Sequence, residues 1–288
     1  MSAAPAIDRA GLARLRRATG RRRLDPADGL FAPDSITRRV NRETVLLLAG
    51  GRALLLQVAH PLVAAGVAAH SHFEAEPLQR LLRTLQLTLT IVFGNAAEAL
   101  GAVRGIERAH AHVHGRLEDA CGPFRRGTRY DANDPALLLW VHATLVDSAL
   151  VAYQRFLGPL SRAECRAFYD ESRVTARLFG IDEPAIPPTL EAFEQYMRRM
   201  LRGPQLAVSR DSRAIAASLL SPPLPPGLRQ LATATSLFTV GLLPAPIRDR
   251  YGYTWGPLRE RALDATALAL RAGVPWLPAV MRHFPHAR

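Results

Sequence analysis

The chain has 288 residues, of which 48% are hydrophobic and 22% charged, and its formal net charge is +12. This length and apolar content predict a globular protein with a sizeable core and exclude a disordered or fibrous chain. All 37 basic residues are arginine, a usage typical of a GC-rich genome, so the charge does not by itself predict a nucleic-acid partner.

The first thirty residues are predicted to form a basic N-terminal arm, followed by one large domain at 31–288. An arginine-rich run from Arg14 to Arg23 gives the arm its charge. This run could touch phosphates or anionic lipid, which would give peripheral membrane contact, but a solvated tail is expected. No apolar core follows these arginines, so no signal peptide is predicted. The 2 cysteines indicate no disulfide framework, and a reducing, cytoplasmic location is expected.

Hydrophobic periodicity predicts helices along the whole chain, without strand alternation of useful length and without an internal repeat. Residues 43–60 are predicted to form one helix with a weak point at the Gly50-Gly51 pair, and Pro61 ends it. A short apolar helix at 62–69 follows. Polar residues and the proline interrupt both segments, so neither is predicted to span a membrane.

The next helix is predicted to begin at Pro77 and to end near Gly94. Its leucines lie on opposite faces, which predicts burial on nearly all sides. Arg80, Arg83 and Thr84 share one of these faces. Buried guanidinium groups require partners, because unpaired charges are costly to remove from water. The partner is either a carboxylate from another helix or the carboxylates of a cofactor, which suit the planar fork of arginine.

Three histidines occur in the helix predicted at residues 97–117. His110 falls within its apolar stripe, whereas His112 points away and His114 lies on the flank. A lone histidine on an apolar face is most often a core residue bonded to a backbone carbonyl. Beside arginines on a neighbouring helix, an inward-facing imidazole also suits an anionic cofactor that carries iron, such as haem.

A later helix at 136–156 is predicted from an aspartate cap followed by proline. It carries His142 and Asp147 on different faces, and Asp147 is a candidate partner for a buried arginine. Both residues fit a structural role as well as a functional one. A capping box at Ser161 opens the next helix, and the proline-rich run at 221–227 separates later ones. The fold class predicted is all-α, a single large helical domain with a buried haem pocket.

Other chemistries have weaker signals. Glu107 and His110 form one Glu-x-x-His pair, but a di-iron bundle requires two such pairs. His110 and His114 have a spacing that could hold zinc, without any accompanying zinc motif. A non-haem metal enzyme using Glu107, His110 and His114 stays open as an alternative. The sequence has no nucleophile elbow and no phosphate-binding glycine loop, which disfavours hydrolases and nucleotide enzymes.

Five segments together carry a resemblance to a known family: GRALLLQVAHP at 51–61, GVAAHS at 66–71, RLLRT at 80–84, WVHATLVDS at 140–148 and YGYTWGP at 251–257. In this order they resemble the MpaB-type oxygenase family, which includes the catalytic domain of the rubber oxygenase called latex clearing protein. The resemblance extends from about residue 36 to the C-terminus. It implies an all-α fold, a b-type haem and an oxidoreductase activity.

In the rubber oxygenases the iron ligand is a helical histidine, which matches His110 by motif order. An Arg-x-x-Lys-Thr motif there supplies a distal lysine ligand, and its counterpart here is Arg80-x-x-Arg83-Thr84. This chain contains no lysine, and a protonated guanidinium offers no lone pair to iron. The resemblance therefore implies His110 as the iron ligand, and we expect Arg80 to clamp the haem propionates. Arg83 and Thr84 would be the distal, catalytic donors, able to hydrogen-bond dioxygen or a propionate.

The expected function is a haem b-dependent oxygenase that acts with dioxygen on a small apolar substrate, for example an isoprenoid or lipid-like molecule. Three further histidines are reserve candidates for binding the iron or the haem: His60, His70 and His142. The alternatives are a non-catalytic helical protein that binds haem or a hydrophobic ligand, and the non-haem metal enzyme. The sequence does not indicate the substrate, the reductant or the oligomeric state.

Overall fold

The computed structural model describes residues 7–70, 77–221 and 236–287, with the side chains of 77–81 outside this description. Its α-helices are α1 (Arg9–Thr19), α2 (Ile36–Asn41), α3 (Gly50–Val58), α4 (Pro61–His70), α5 (Pro77–Phe93), α6 (Ala96–His110), α7 (Pro135–Phe156), α8 (Arg162–Leu178), α9 (Leu190–Arg202), α10 (Arg210–Leu220), α11 (Ala245–Tyr251), α12 (Pro257–Gly273) and α13 (Ala279–Arg282). Residues 236–241 are also helical.

The remaining regular structure in the described ranges is short. The 3₁₀ helices are Thr44–Ala49, Glu183–Ala185, Val274–Trp276 and Pro285–Ala287. Strands β1 (His114–Arg116) and β2 (Arg129–Asp131) form a two-stranded antiparallel sheet in which Gly115 pairs with Tyr130. The predicted all-α class is confirmed, although this small hairpin was not expected from the sequence. The proline-rich run at 221–227 lies outside the described residues, apart from Ser221.

Helix α7 lies at the centre of the core. It begins as predicted, with Asp134 accepting hydrogen bonds from the first backbone amides and Pro135 in the first turn. Trp140 is completely buried, and its Nε1 donates to the Leu56 carbonyl of α3 at 3.2 Å. The largest hydrophobic cluster joins residues of α2, α3, α7, α8, α9 and α11 around it. This packing fixes α3 and α7, which carry several candidate site residues.

The predicted helix at 43–60 divides at its glycine pair. Residues Thr44–Ala49 form a 3₁₀ helix, and α3 begins at Gly50. A Cβ atom at Gly51 would collide with the side chain of Thr239, so this close approach requires glycine. Pro61 begins α4 after the expected stop, and the two helical segments meet at an angle of 106°.

Within the described residues, α7 is the one helix long and apolar enough to cross a membrane by length and composition. Half of the apolar stretch of this helix (50%) is buried inside the protein, as is usual for a core helix of a globular domain. Residues 44–58 and 61–70 are long and apolar enough to cross a membrane only when they are taken together, and a sharp bend separates them.

The N-terminal segment contains a packed helix, and this corrects the expectation of a solvated arm. Leu15 and Ala18 lie one turn apart on α1 and are almost completely buried, because they face a cluster that includes residues of α6 and α8. Arg14 donates to Glu107 and, at 2.8 Å, to the Leu178 carbonyl. Arg14 is therefore engaged within the fold, while the predicted domain boundary at residue 30 stays a prediction.

Candidate functional site

His110 is the last residue of α6. The helix stops there, rather than continuing through the predicted range 97–117, because the chain turns back toward the hairpin. In this turn the Val113 amide donates to the His110 carbonyl at 2.8 Å. His110 is half-buried, whereas His112 and His114 are exposed. His110 is thus the least exposed of the three imidazoles, as its position in the apolar stripe predicts.

Two glycines allow close packing around the hairpin that follows His110, one within the hairpin and one on α4. A Cβ atom at Gly115 would lie 2.6 Å from the hydroxyl oxygen of Tyr130, and one at Gly66 would lie 3.2 Å from Val113 Cγ1. The first distance is too short for a side chain and the second is tight, so both positions favour glycine. The ring of Tyr130 is 8% exposed and fills the space between these elements.

Tyr130 also reaches His70 at the end of α4. Its hydroxyl oxygen lies 3.5 Å from His70 Nε2, and the two rings meet edge to face. Burial is the main cause that raises the pKa of Tyr130, so its hydroxyl keeps its proton at neutral pH. The imidazole of His70 is exposed, with this phenol as a neighbour. Tyr130 was not predicted from the sequence; its pairing with Gly115 is visible only in the fold.

His60 is a buried imidazole at the start of α4. It is 6% exposed, and its ring packs against Phe124 with the centroids 5.1 Å apart. Its Nδ1 is buried and makes no hydrogen bond among the described residues. Burial lowers the pKa of His60 to about 4, against a smaller opposing effect of Asp134. His60 is therefore neutral at pH 7, with a lone pair on one ring nitrogen.

His142 on α7 is half-buried, and it also has a buried ring nitrogen. Its Nε2 is buried without a hydrogen-bond partner in the described part of the chain. Burial lowers its pKa to about 4. His142 and His60 are thus neutral imidazoles, and each has a buried ring nitrogen without a hydrogen-bond partner among the described residues. Leaving such a nitrogen unpaired costs free energy, so a bound ligand that pairs with it would stabilise the protein.

Acidification is expected to destabilise the protein without cofactor through His60. Its pKa is 6.5 in the unfolded chain and about 4 in the fold, so the unfolded state takes up the proton first. The contribution of neutral His60 to the free energy of unfolding is complete above pH 6.5 and is lost as the pH falls toward 4. From pH 7 to pH 5 the free energy of unfolding should fall by about 2 kcal/mol from this group alone. Urea unfolding at the two pH values measures the fall.

The matched variants are His60→Asn and His112→Ala. Removing the buried imidazole should reduce the fall between the two pH values. Removing the exposed one should leave it unchanged. An undiminished fall in His60→Asn would show that other groups cause the acid sensitivity.

Helix α5 has the predicted bounds but not the predicted burial. Leu82 is 59% exposed, and Arg83 and Thr84 are exposed beside it. The buried side chains among the described residues of α5 lie in its last two turns, where the helix packs against α6. The guanidinium of Arg83 is therefore not buried, and the prediction that α5 is buried on nearly all sides was wrong. The side chain of Arg80 lies outside the described residues.

A buried arginine is present elsewhere, at Arg52 of α3. It is 3% exposed and donates to Asp147 Oδ2 at 2.6 Å, to Ser148 Oγ at 2.6 Å and to the Leu242 carbonyl at 2.8 Å. Asp147 was predicted as the partner of a buried arginine, and this is confirmed with Arg52 as that arginine. Arg52 itself was not singled out, although an arginine inside an apolar helix was the available signal.

The alternative metal site is not formed. Glu107 accepts hydrogen bonds from Arg14 at 2.5 and 3.0 Å, so its carboxylate is occupied by a guanidinium. His114 lies on β1 instead of one turn further along the helix that carries His110. Across the described ranges, no three side chains of histidine, cysteine, aspartate or glutamate are grouped so that they could hold a metal ion.

The donor chemistry nevertheless fits a haem. Porphyrin nitrogens supply most of the iron's ligands, so one neutral imidazole is enough from the protein. The buried nitrogens of His60 and His142 are groups that a bound cofactor or its ligands would satisfy. Two cavities of about 380 and 420 Å³ lie elsewhere, one between α7, α8 and α9 and the other beside α2 and α8.

Comparison with known proteins gives a family match and two relatives. Residues 37–272 match the family described as "ER-bound oxygenase mpaB/B'/Rubber oxygenase, catalytic domain". The chain is 29% identical over 183 residues to an uncharacterized protein of Mycobacterium bovis and, with the same values, to one of Mycobacterium tuberculosis. Each alignment covers 62% of this chain and 71% of the relative. No solved structure matches the chain. Because the family match covers most of its length, the chain belongs to the mpaB and rubber oxygenase catalytic-domain family.

Proposed function

We propose that this protein is a haem b-dependent oxygenase that uses dioxygen on a small apolar substrate. Membership of an oxygenase family makes it an oxidoreductase. The observation that carries the haem proposal is that His60 and His142 are neutral imidazoles, each with a buried ring nitrogen that has no hydrogen-bond partner among the described residues. Imidazole is a common protein ligand of haem iron.

His110 is the proposed iron ligand. This assignment is supported by the position of His110 at the end of α6, where it is less exposed than His112 and His114. When bound, the haem would supply an iron centre that activates dioxygen. His60, His70 and His142 are proposed to orient the cofactor through hydrogen bonds or to act as reserve ligands.

Arg80 and Arg83 are proposed to act through charge and hydrogen bonding. Arg80 would clamp the propionates, because a guanidinium binds a carboxylate through paired hydrogen bonds. Arg83 and Thr84 would donate hydrogen bonds toward dioxygen. Both side chains are exposed on α5, so this role requires the cofactor to bind against that face of the helix. Because no side chain in the chain is a lysine, the amine ligand of the rubber oxygenases has no counterpart.

Replacing Arg83 with leucine is expected to leave haem bound and to weaken the affinity for dioxygen. Loss of one charged hydrogen bond corresponds to about 1.5–3 kcal/mol, or roughly a 10- to 150-fold weaker affinity. Stopped-flow measurement of dioxygen association and dissociation would determine this. Arg261→Leu, which removes an exposed arginine from α12, is the matched control and should have no effect. Equal affinities in wild type and Arg83→Leu would exclude Arg83 from the distal side.

Consumption of dioxygen tests the enzyme directly. The haem-loaded protein should consume dioxygen in the presence of a reductant and an apolar polyene, and more slowly without the polyene. A protein that binds haem and the polyene but never consumes dioxygen would instead be a non-catalytic carrier. The cytoplasm remains the proposed location, supported by two cysteines that are both free thiols.

A further inference from the structure

A continuous apolar stretch is exposed near the C-terminus. Residues 275–281, with the sequence PWLPAVM, are all apolar and all exposed. The side chain of Trp276 is 88% exposed, and those of Val280 and Met281 are each 61% exposed. Single exposed apolar residues are ordinary on a protein surface, but a contiguous set of this kind marks an interaction surface.

Leu47 extends this stretch from a second element. The 3₁₀ helix Thr44–Ala49 contacts α13, and Thr44 Oγ1 donates to the Met281 carbonyl at 3.0 Å. Residues three apart on a 3₁₀ helix lie on one side. Leu47, which is 50% exposed, therefore lies on the same side as Thr44, next to residues 275–281. We call residues 275–281 and Leu47 the apolar patch.

The apolar patch is held firmly by the fold. Buried side chains flank it, with Val274 before it and Phe284 after it, each 7% exposed. Arg282 donates to both carboxylate oxygens of Glu43, at 2.8 and 2.9 Å, and Glu43 is completely buried. These contacts anchor the patch on both sides, so its exposure is a property of the folded protein and not of a free tail.

The chain segment that contains the apolar patch is basic in sequence. From residue 265 to residue 288 the sequence contains arginines and histidines and no aspartate or glutamate. The acidic residues that precede this range on α12, Glu260 and Asp264, form ion pairs with Arg155. Arg271 and His286 are exposed on either side of the patch in the sequence. An apolar surface within a basic setting complements a bilayer with anionic headgroups.

We propose that the apolar patch docks this protein peripherally on an anionic lipid surface, with Trp276 inserted at the level of the headgroups. Tryptophan prefers this interface. Pro275 and Pro278 have no backbone N–H to satisfy there, and the amide of Leu277 donates to the Val274 carbonyl at 3.1 Å. The proposal places membrane contact at the apolar patch, and it does not depend on haem or on oxygenase activity.

Co-sedimentation of the full chain with vesicles tests the docking. We expect binding to vesicles of phosphatidylcholine with 30% phosphatidylglycerol and much weaker binding to pure phosphatidylcholine. The double variant Trp276→Ser/Met281→Ser should lower the partition coefficient at least tenfold. Leu258→Ser is the matched control, because Leu258 is 80% exposed at the other end of α12, and it should bind as wild type does.

Bromine-labelled lipid gives a second readout, since it quenches tryptophan fluorescence only at short range. The exposed Trp276 should be quenched on vesicle binding, and this quenching should be absent in Trp276→Phe. Failure of the wild type to bind anionic vesicles would overturn the proposal, as would binding unchanged in the double variant. Loss of a dimer in the double variant, without vesicle binding by wild type, would assign the patch to a second copy of the chain and also overturn it.

Discussion

Replacing His110 with alanine is expected to abolish stoichiometric haem binding, whereas replacing His112 with alanine should leave it intact. Both residues lie at the end of α6 within two positions of each other, and they differ in exposure: His110 is half-buried and His112 is exposed. A half-buried imidazole can be enclosed together with a bound haem, whereas an exposed one remains in solvent. Haem titration followed by absorbance gives the stoichiometry and affinity of each variant.

The fold must be shown to survive in both variants for this comparison to hold. Circular dichroism and the urea midpoint provide that control. Adding free imidazole to His110→Ala should partly restore the haem spectrum, since a cavity is left where the ring was. Equal loss of haem in the two variants, or none in either, would contradict the assignment. A loss confined to His60→Asn or His142→Ala would transfer the ligand role to one of those residues.

Replacing Asp147 with leucine is expected to lower the free energy of unfolding by about 3 kcal/mol, the lower end of the range for breaking a buried ion pair. The reason is that Arg52, which is 3% exposed, would keep its charge in the core without its carboxylate partner. Asp147 is 24% exposed at its side chain, so solvent moderates the loss. Urea unfolding monitored by circular dichroism measures the change.

The double variant Arg52→Met/Asp147→Leu should recover much of this stability, because it removes both charges together. Asp264→Ala is the matched control. It breaks the ion pair with Arg155 on the surface, where solvent screens the charges, and should have a much smaller effect. If Asp147→Leu is no more destabilising than Asp264→Ala, the Arg52–Asp147 pair is not a determinant of stability.

Local signals in the sequence are sufficient for most helix ends. The Ser161 capping box, the aspartate cap and first-turn proline of α7, and the Pro61 stop all depend on neighbouring residues, and the structure contains each of them. The division at Gly50 follows from the same kind of signal. These features are predictable because the atoms that form them are close together in the chain.

The errors have a common physical origin in long-range contacts. Helical periodicity continues past His110, but the chain leaves the helix there because Gly115 pairs with Tyr130 across the hairpin. An amphipathic pattern likewise gives the faces of α5 without showing which face has a neighbour, so Arg83 was expected to be buried. Arg52 is similar: only the fold brings it to Asp147, which is far away in the sequence.

The absorption spectrum of the purified protein tests the central claim, a haem held by one histidine with no amine ligand opposite. We expect a Soret band, a resting spectrum of five-coordinate or water-bound iron, and rapid binding of carbon monoxide after reduction. This follows from the absence of lysine in the chain, since arginine cannot take the place of the amine ligand. A resting spectrum with two strong nitrogen ligands, or bound iron without a Soret band, would contradict the claim.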